Sequence, residues 1–67
     1  MTPTDQPTPA ELRALRAYLA TGTVKAAAAS LGLAESTIKG ELRSIRSKVG
    51  ARNTAQAVYL LRDRLAA

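Results

Sequence analysis

Apolar residues recur at helical spacing in four segments of the chain. In the first segment Leu12, Leu15 and Leu19 lie three and four residues apart, which places them on one face of a helix. Residues 8–11, which read Thr-Pro-Ala-Glu, form a capping box in which the hydroxyl and the carboxylate each satisfy a backbone N–H at the helix start. Gly22 ends the segment, so the pattern predicts a first helix between these two signals.

The second segment is a short helix with a stripe of small apolar residues. Thr23 provides its N-cap and Gly32 its end. The inward-facing residues are Val24, Ala27, Ala28 and Leu31. Residues 33–35 connect it to the next periodic segment. A short helix that ends at glycine, a three-residue connection and a longer helix together outline a helix-turn-helix.

The third segment has an aliphatic face and a basic face. It is predicted to run from about Ser36 to Val49 and to end at Gly50. On a helix of 100° per residue, a sector of roughly 60° holds Ile38, Leu42, Ile45 and Val49. The opposite face holds Ser36, Lys39, Gly40, Arg43 and Ser47. This division is expected of a helix that packs on a core and lies in a DNA groove.

The fourth segment carries more apolar surface than one small core can use. It starts at Asn53 with another capping-box-like signal and continues to about Leu65. Its apolar residues are Ala57, Val58, Tyr59, Leu60, Leu61 and Leu65. The four segments predict an all-α, four-helix domain in residues 8–67. Residues 1–7 are polar, contain two prolines and are predicted to form a flexible N-terminal lead.

Composition limits the function as well as the fold. The 67 residues suffice for one small domain, and the chain has no His and no Cys. The common zinc, haem and iron–sulfur sites therefore lack their ligands, and Ser-His or Cys-His catalysis has no base. We expect no metal, no cofactor and no enzymatic activity. Because no apolar run approaches the ~18 residues of a membrane span and the start lacks a signal peptide's basic residues, we expect a cytoplasmic protein that engages no membrane.

Positive charge is concentrated in the third segment and just beyond it. The net charge of the chain is +5. Between residues 39 and 52, five basic residues are accompanied by a single acid, Glu41. A small basic domain whose charge lies in one segment points first to a polyanion, and nucleic acid is the commonest one.

Several stretches of the chain keep the order and most of the spacings of a known family. They are Thr8-Pro9-Ala10-Glu11-Leu12, Ala28-x-x-Leu31-Gly32-Leu33-x-Glu35-x-Thr37-Ile38-Lys39, Leu42, Lys48-Val49-Gly50-Ala51-Arg52-Asn53 and Gln56-Ala57-Val58. Together they resemble the LuxR/GerE-type DNA-binding domain over residues 8–65. The last stretches discriminate best, because a generic helix-turn-helix has no reason to follow its recognition helix with this glycine turn and a fourth amphipathic helix.

Some positions depart from the usual pattern of that family. The segment between Gly22 and Lys25 is one residue shorter, and Ala27 stands in place of a larger aliphatic residue, which should thin the core. Ala34 stands where a Ser usually caps the recognition helix, which leaves that cap to one of the next two residues.

The resemblance implies that three residues of the third helix contact bases in the major groove. The matching positions are Lys39, Gly40 and Arg43. The residue pattern selects the same three, because they share a face in the first turns of the helix. Arg43 fits the O6 and N7 acceptors of guanine, a pairing worth ~1–3 kcal/mol of discrimination. For Lys39 the alternative is a solvated lysine paired with Glu35 at i, i+4.

Phosphate contacts are expected around the same helix. The candidates are Lys25, Ser36, Thr37, Arg46, Ser47, Lys48 and Arg52. Lys48 and Arg52 also lie near a helix C-terminus, where a cation is favourable without any ligand. The alternative for Thr37 is a capping or packing role at the helix start. Solvated charges are expected at Arg13, Arg16, Arg62 and Arg64.

The apolar excess of the fourth helix has two interpretations. Either all of it closes the monomer core, or part of it forms the two-fold dimer contact that the resemblance implies. The candidates for that contact are Ala57, Val58, Tyr59, Leu60 and Leu61. A dimer would present two recognition helices to two half-sites.

The sequence therefore predicts a stand-alone transcriptional regulator that binds double-stranded DNA as a homodimer, without a receiver or ligand-binding domain. The alternative is a protein-interaction module that docks on RNA polymerase or on another regulator. The two differ in their response to salt, since counterion release makes DNA binding fall steeply as salt is added.

Overall fold

The computed structural model describes residues 6–66, and the regular structure in that range is helical. Its helices are α1 (Pro9–Thr21), α2 (Val24–Leu31), α3 (Glu35–Val49), α4 (Thr54–Leu60) and α5 (Arg62–Ala66). The predicted all-α class is confirmed, whereas the predicted number of four helices is wrong by one. Most of the predicted lead, residues 1–5, lies outside the described range. No helix between residues 6 and 66 has the length and apolarity needed to cross a membrane.

The two signals predicted to bound α1 are both present. The Oγ1 of Thr8 accepts a hydrogen bond from the N–H of Glu11 at 3.1 Å, and Oε1 of Glu11 accepts one from the N–H of Thr8 at 2.8 Å. This is the reciprocal capping box. The helix ends at Gly22, whose N–H donates to the carbonyl of Tyr18 at 2.7 Å.

A three-residue turn, residues 32–34, joins α2 to α3. At Gly32 φ is 68°, a left-handed conformation that a residue with a Cβ adopts only at a cost. The N–H of Leu33 donates to the carbonyl of Ala28 at 2.9 Å, which closes the turn. The next helix starts at Glu35, one residue earlier than predicted, and no side-chain hydrogen bond caps it at Ala34. The cap expected from one of the next two residues is therefore absent at this helix start.

The predicted fourth helix is divided in two at Leu61. This residue has a φ of −108° and a ψ of 11°, which departs from helical geometry and separates α4 from α5. Its N–H still donates to the carbonyls of Ala57 at 3.0 Å and Val58 at 3.2 Å. Periodicity could not predict this break, because residues 57–61 are apolar without interruption and define no single buried face.

The core is small and contains many alanines. Leu15, Ile38 and Ile45 are its largest fully buried side chains, and they come from α1 and α3, which pack against each other. The other buried members of this cluster are Ala14, Ala17, Ala27, Ala28, Leu42 and Leu61. The short side chains of α2 allow that helix to approach its neighbours closely, in agreement with the predicted stripe.

One residue predicted to face the core, Leu19, lies at the surface with 49% of its area exposed. The buried face of α1 is formed by Ala14 and Leu15, with Tyr18 half-buried beside them. Leu12 and Leu19 stand roughly 100° away from the centre of that face. The spacing of the leucines does not distinguish the face that holds Leu12 and Leu19 from the face that holds Leu15. The buried face is the one that also contains alanine, a residue that contributes little to a hydrophobic pattern.

A buried carboxylate links the start of α1 to the C-terminal half of α3 through hydrogen bonds. Glu11 is 3% exposed. Besides the bond from the N–H of Thr8, it accepts hydrogen bonds from Oγ of Ser44 and from Nζ of Lys48, the latter at 2.9 Å. Burial alone raises the pKa of this carboxyl, but the hydrogen bonds from Ser44, Thr8 and Lys48 outweigh burial and hold the pKa below its usual value.

The two ends of the described range lie side by side. The guanidinium of Arg16 donates to the carbonyls of Arg64 at 3.0 Å and Leu65 at 3.3 Å, which satisfies acceptors at the end of α5. Arg64 donates to Oε1 of Gln6 at 3.0 Å, and Pro7 is buried. Arg16 and Arg64 are exposed, as predicted, but each also has an internal hydrogen-bond partner. The last two residues of the predicted lead contact the domain.

Candidate nucleic-acid interface

The surface of α3 that faces away from the core carries most of the residues predicted to contact DNA. At 100° per residue, a sector of roughly 60° contains Ser36, Gly40, Arg43 and Ser47, which we call the α3 crest. Lys39 lies about 40° beyond Arg43, on one flank of the crest. All five residues are exposed. The fold therefore brings the three predicted base-contact residues, Lys39, Gly40 and Arg43, together on one accessible surface.

Lys39 and Arg43 have no partners among the residues that the structure describes. Neither side chain makes a hydrogen bond or an ion pair with any residue in the range 6–66. The alternative pairing of Lys39 with Glu35 is thus not formed. Both cations can reach an external acceptor without breaking any contact inside the described part of the domain.

Gly40 is not required by the fold. A Cβ built on this residue meets nothing within 4 Å, and its backbone is helical. Glycine in the interior of a helix costs ~1 kcal/mol relative to alanine. No internal contact accounts for that cost. What glycine provides here is the absence of a side chain at the middle of the α3 crest, where a partner could approach the backbone closely.

Five of the residues predicted to contact phosphates have exposed side chains: Lys25, Ser36, Thr37, Ser47 and Arg52. Lys25 lies in the first turn of α2, and Thr37 in the first turn of α3. Thr37 makes neither a capping bond nor a buried packing contact, so its alternative role is absent. Arg52 lies between α3 and α4, where its backbone N–H donates to Oε1 of Gln56 at 2.6 Å.

The other two predicted phosphate contacts have internal partners. Lys48 pairs with Glu11, and only 22% of the lysine side chain is exposed. Arg46 is half-buried and donates through NH1 to Oγ1 of Thr54 at 3.2 Å. Both partners lie outside α3, so the helical pattern that selected the two cations could not reveal them. The charge of Lys48 is balanced by Glu11, which makes it a weaker candidate for a phosphate contact, whereas no ion pair within residues 6–66 balances the charge of Arg46.

An open groove of about 260 Å³ runs along the Lys39 flank of α3. It is lined by Tyr18, Val24, Lys39, Leu42, Arg43, Arg46 and Thr54. Each of its three cations was predicted as a separate DNA contact, but the sequence pattern did not predict that they line one groove. Their spacing of four and three residues could have done so, whereas Tyr18 and Thr54 come from other helices and could be added only by the fold.

The predicted dimer surface is smaller than the sequence suggested. Ala57 is fully buried and Leu61 is 5% exposed, so both are used inside the monomer core and cannot contribute to a contact between copies. Val58 is half-buried against the same core. Tyr59 and Leu60 remain, with 64% and 48% of their areas exposed.

The exposed tyrosine is held in place by a neighbouring arginine. The guanidinium of Arg62 lies 4.5 Å from the centre of the Tyr59 ring and donates to the Tyr59 carbonyl at 2.7 Å. Arg62 is therefore not a freely solvated charge. The ring of Tyr59 keeps one face covered by a cation, and the apolar surface beside it is supplied by Leu60.

No family model matches this chain, and no curated protein or solved structure matches it either. A function can accordingly be argued only from the residues and their geometry. The strongest features are Arg43 on the α3 crest, Lys39 on its flank, and the groove beside them.

Proposed function

We propose that the chain is a transcriptional regulator that binds specific sequences of double-stranded DNA through a LuxR/GerE-type helix-turn-helix. In this proposal α2, the Gly32 turn and α3 are the helix-turn-helix, and α3 is the recognition helix. The observation that carries the proposal is the pair Lys39 and Arg43, two unpaired cations exposed on one side of a helix whose crest is otherwise glycine and serine.

The dimensions of α3 suit a major groove. An α-helix with its side chains is roughly 10–12 Å across, and the major groove is about 12 Å wide, so a helix fits within it. The 15 residues of α3 make a helix roughly 22 Å long that can lie along the groove. Small residues on the crest, Ser36, Gly40 and Ser47, allow the helix backbone to approach the base edges. Arg43 then reaches the O6 and N7 acceptors of guanine, and Lys39 reaches an acceptor on a neighbouring base.

Backbone contacts in this proposal surround the recognition helix. Lys25 at the start of α2, Ser36 and Thr37 at the start of α3, and Arg52 after its end supply donors to phosphates on either side of the groove. Such contacts set the position of the protein on the duplex and make its affinity depend on salt, but they carry no sequence information.

We propose further that two copies bind together. Tyr59 and Leu60 form an exposed apolar patch on α4, and a two-fold contact through this patch would bury it. The two recognition helices would then read half-sites about one helical turn, ~34 Å, apart. The half-buried Val58 would lie at the edge of that contact.

Selection of bound fragments from a random duplex library tests the proposal most directly. A recovered motif that is palindromic supports sequence-specific binding by a dimer. On the best recovered site, Arg43→Ala should lose about 1–3 kcal/mol of binding free energy and relax preference at one base pair, as measured by fluorescence anisotropy. Arg13→Ala removes an exposed arginine from α1 and serves as the matched control.

A salt titration separates DNA binding from docking on a protein. Affinity for duplex DNA should fall steeply with salt, with a slope set by the number of phosphates neutralised. If binding to random and selected duplexes is absent or insensitive to salt, the function is not DNA binding, and docking on RNA polymerase or another regulator replaces it.

A further inference from the structure

The groove beside α3 concentrates positive charge, and no acid among residues 6–66 pairs with its lysine or its two arginines. Lys39, Arg43 and Arg46 line it at successive turns of one helix, and none of the lining residues is acidic. Glu41 stands at least about 140° around α3 from each of the three cations. Glu35 precedes Lys39 by one turn but neither lines the groove nor bonds to the lysine.

Arg46 is the fixed member of this cluster. It is half-buried, and its NH1 donates to Oγ1 of Thr54 at 3.2 Å. The hydroxyl orients the guanidinium but does not neutralise it, and the remaining N–H donors of the fork stay available. Lys48, two residues further on and on the opposite side of α3, provides the contrast, because its charge is matched by Glu11. A positioned, uncompensated guanidinium is a favourable partner for an oxyanion.

The rest of the lining suits an ester rather than a bare ion. Val24 and Leu42 supply an apolar base, and Tyr18 adds a half-buried ring from α1. The groove has a volume of about 260 Å³, which leaves room beside an anionic group for the organic part of the molecule that carries it. The combination of cations at the rim with apolar residues below is typical of sites for small organic anions.

We propose that this groove binds the phosphate group of a phosphate ester. Arg46, positioned by Thr54, is the principal contact. Lys39 and Arg43 close over a free ester from the exposed side, but in a duplex complex they contact bases and leave the backbone phosphate to Arg46. The ester is supplied either by the backbone of a duplex or by a free small molecule. The second source extends the proposed DNA-binding function, because a free ester would occupy Lys39 and Arg43 and thereby compete with the duplex for them.

An NMR titration of the full chain labelled with ¹⁵N tests the proposal. Phenyl phosphate is the free probe, a short random duplex is the second probe, and sodium chloride keeps the ionic strength constant. Amide shifts produced by phenyl phosphate should saturate and be concentrated at Val24, Arg46 and Thr54. Arg46→Gln should weaken phenyl phosphate binding about tenfold, the loss expected for a hydrogen bond to a charged group, whereas Arg13→Gln should leave it unchanged.

A second variant guards against a folding defect in the first. Thr54→Ala keeps the charge of Arg46 and removes the hydroxyl that positions it, together with one methyl group, so a loss of about threefold in phosphate affinity is expected. Circular dichroism of each variant establishes whether its helices are intact. If Arg46→Gln does not fold, the comparison of Thr54→Ala with Arg13→Gln decides.

The outcomes separate this site from the proposed function. Groove shifts with phenyl phosphate but no binding of the duplex support the site and reject DNA binding. If both probes shift the amide signals of the groove residues and compete with each other, the site is supported, and both a duplex backbone and a free ester can supply its phosphate. Duplex binding without groove shifts, or phenyl phosphate shifts spread evenly over exposed cations such as Lys25 and Arg13, overturn the site and leave the proposed function standing.

Discussion

The Nζ of Lys48, near the end of α3, lies 2.9 Å from Oε1 of Glu11, in the first turn of α1. The glutamate side chain is 4% exposed and the lysine side chain 22%, so water reaches the pair only from the lysine side. A surface ion pair contributes little to stability, but removal of one partner from a buried pair leaves a charge without compensation. Lys48 therefore contributes more to the stability of the fold than the other lysines of the described range, whose side chains are exposed.

Replacement of Lys48 by methionine should lower the free energy of unfolding by about 2–3 kcal/mol at neutral pH. The stem of the side chain is kept, so the loss reports the uncompensated Glu11 carboxylate. Urea unfolding followed by circular dichroism measures it. Lys25→Met, at an exposed lysine of α2, is the control and should change stability by less than about 0.5 kcal/mol. Equal effects of the two substitutions would mean that the pair does not stabilise the fold.

Stability should fall in acid because of Glu11. Its pKa is lower in the folded chain than in the unfolded chain, so its contribution is complete above the usual carboxyl pKa and is lost as the pH falls through the folded value. Glu11→Gln keeps a side chain that can cap the helix but does not titrate. It should be less stable than the natural sequence at pH 7 and less sensitive to pH below about 5. Parallel stability curves for the two proteins, measured by urea unfolding from neutral to acid pH, would assign the acid sensitivity to other carboxylates.

Gly40→Ala should separate stability from binding. The added methyl group has open space, and alanine is the better helix former, so the free energy of unfolding should rise by up to ~1 kcal/mol. If the α3 crest lies against base edges, the same methyl group should weaken binding to the selected duplex. Thermal unfolding and fluorescence anisotropy measure the two effects on one protein. Higher stability with unchanged affinity would show that the duplex does not approach the backbone at this residue.

The patch formed by Tyr59 and Leu60 should be needed for pairing and not for folding. The double substitution Tyr59→Ser, Leu60→Gln should lower the free energy of unfolding by no more than about 1 kcal/mol, because the two residues are 64% and 48% exposed. Analytical ultracentrifugation with a duplex of two half-sites should then give one bound copy where the natural sequence gives two. Leu19→Gln removes a similarly exposed leucine from α1 and should not alter the stoichiometry. Two bound copies of the double variant would place the dimer contact elsewhere.

The local signals in the sequence were sufficient for both ends of α1 and of α2. Thr8 with Glu11 formed the predicted capping box, and Gly22 and Gly32 ended their helices, because caps and left-handed glycines depend on residues only a few positions apart. The break at Leu61 was not predictable in this way. It depends on which of five consecutive apolar residues the core accepts, and this is decided by the packing of other helices.

The same distinction between local signals and tertiary packing applies to the candidate site. Exposure of Lys39, Gly40 and Arg43 followed from the angular position of each residue on one helix. The partners of Lys48 and Arg46 could not be predicted from such positions. Glu11 and Thr54 belong to other helices and contact these cations only in the folded chain. Charge counting treated all the cations of α3 alike, whereas tertiary contacts neutralise one, orient another and leave two available.

The hydrogen bond of 3.0 Å between the side chains of Arg64 and Gln6 gives the domain a property that its linear sequence hides. Although 58 residues separate the two in the chain, the bond brings the backbones around them within reach of a short peptide. A short linker that joins the backbone near Gln6 to the backbone near Arg64 would therefore close a ring with little distortion. The ring would restrict the unfolded chain far more than the folded one. Backbone cyclisation is for this reason a route to a more stable form of the domain that alters no residue of α3.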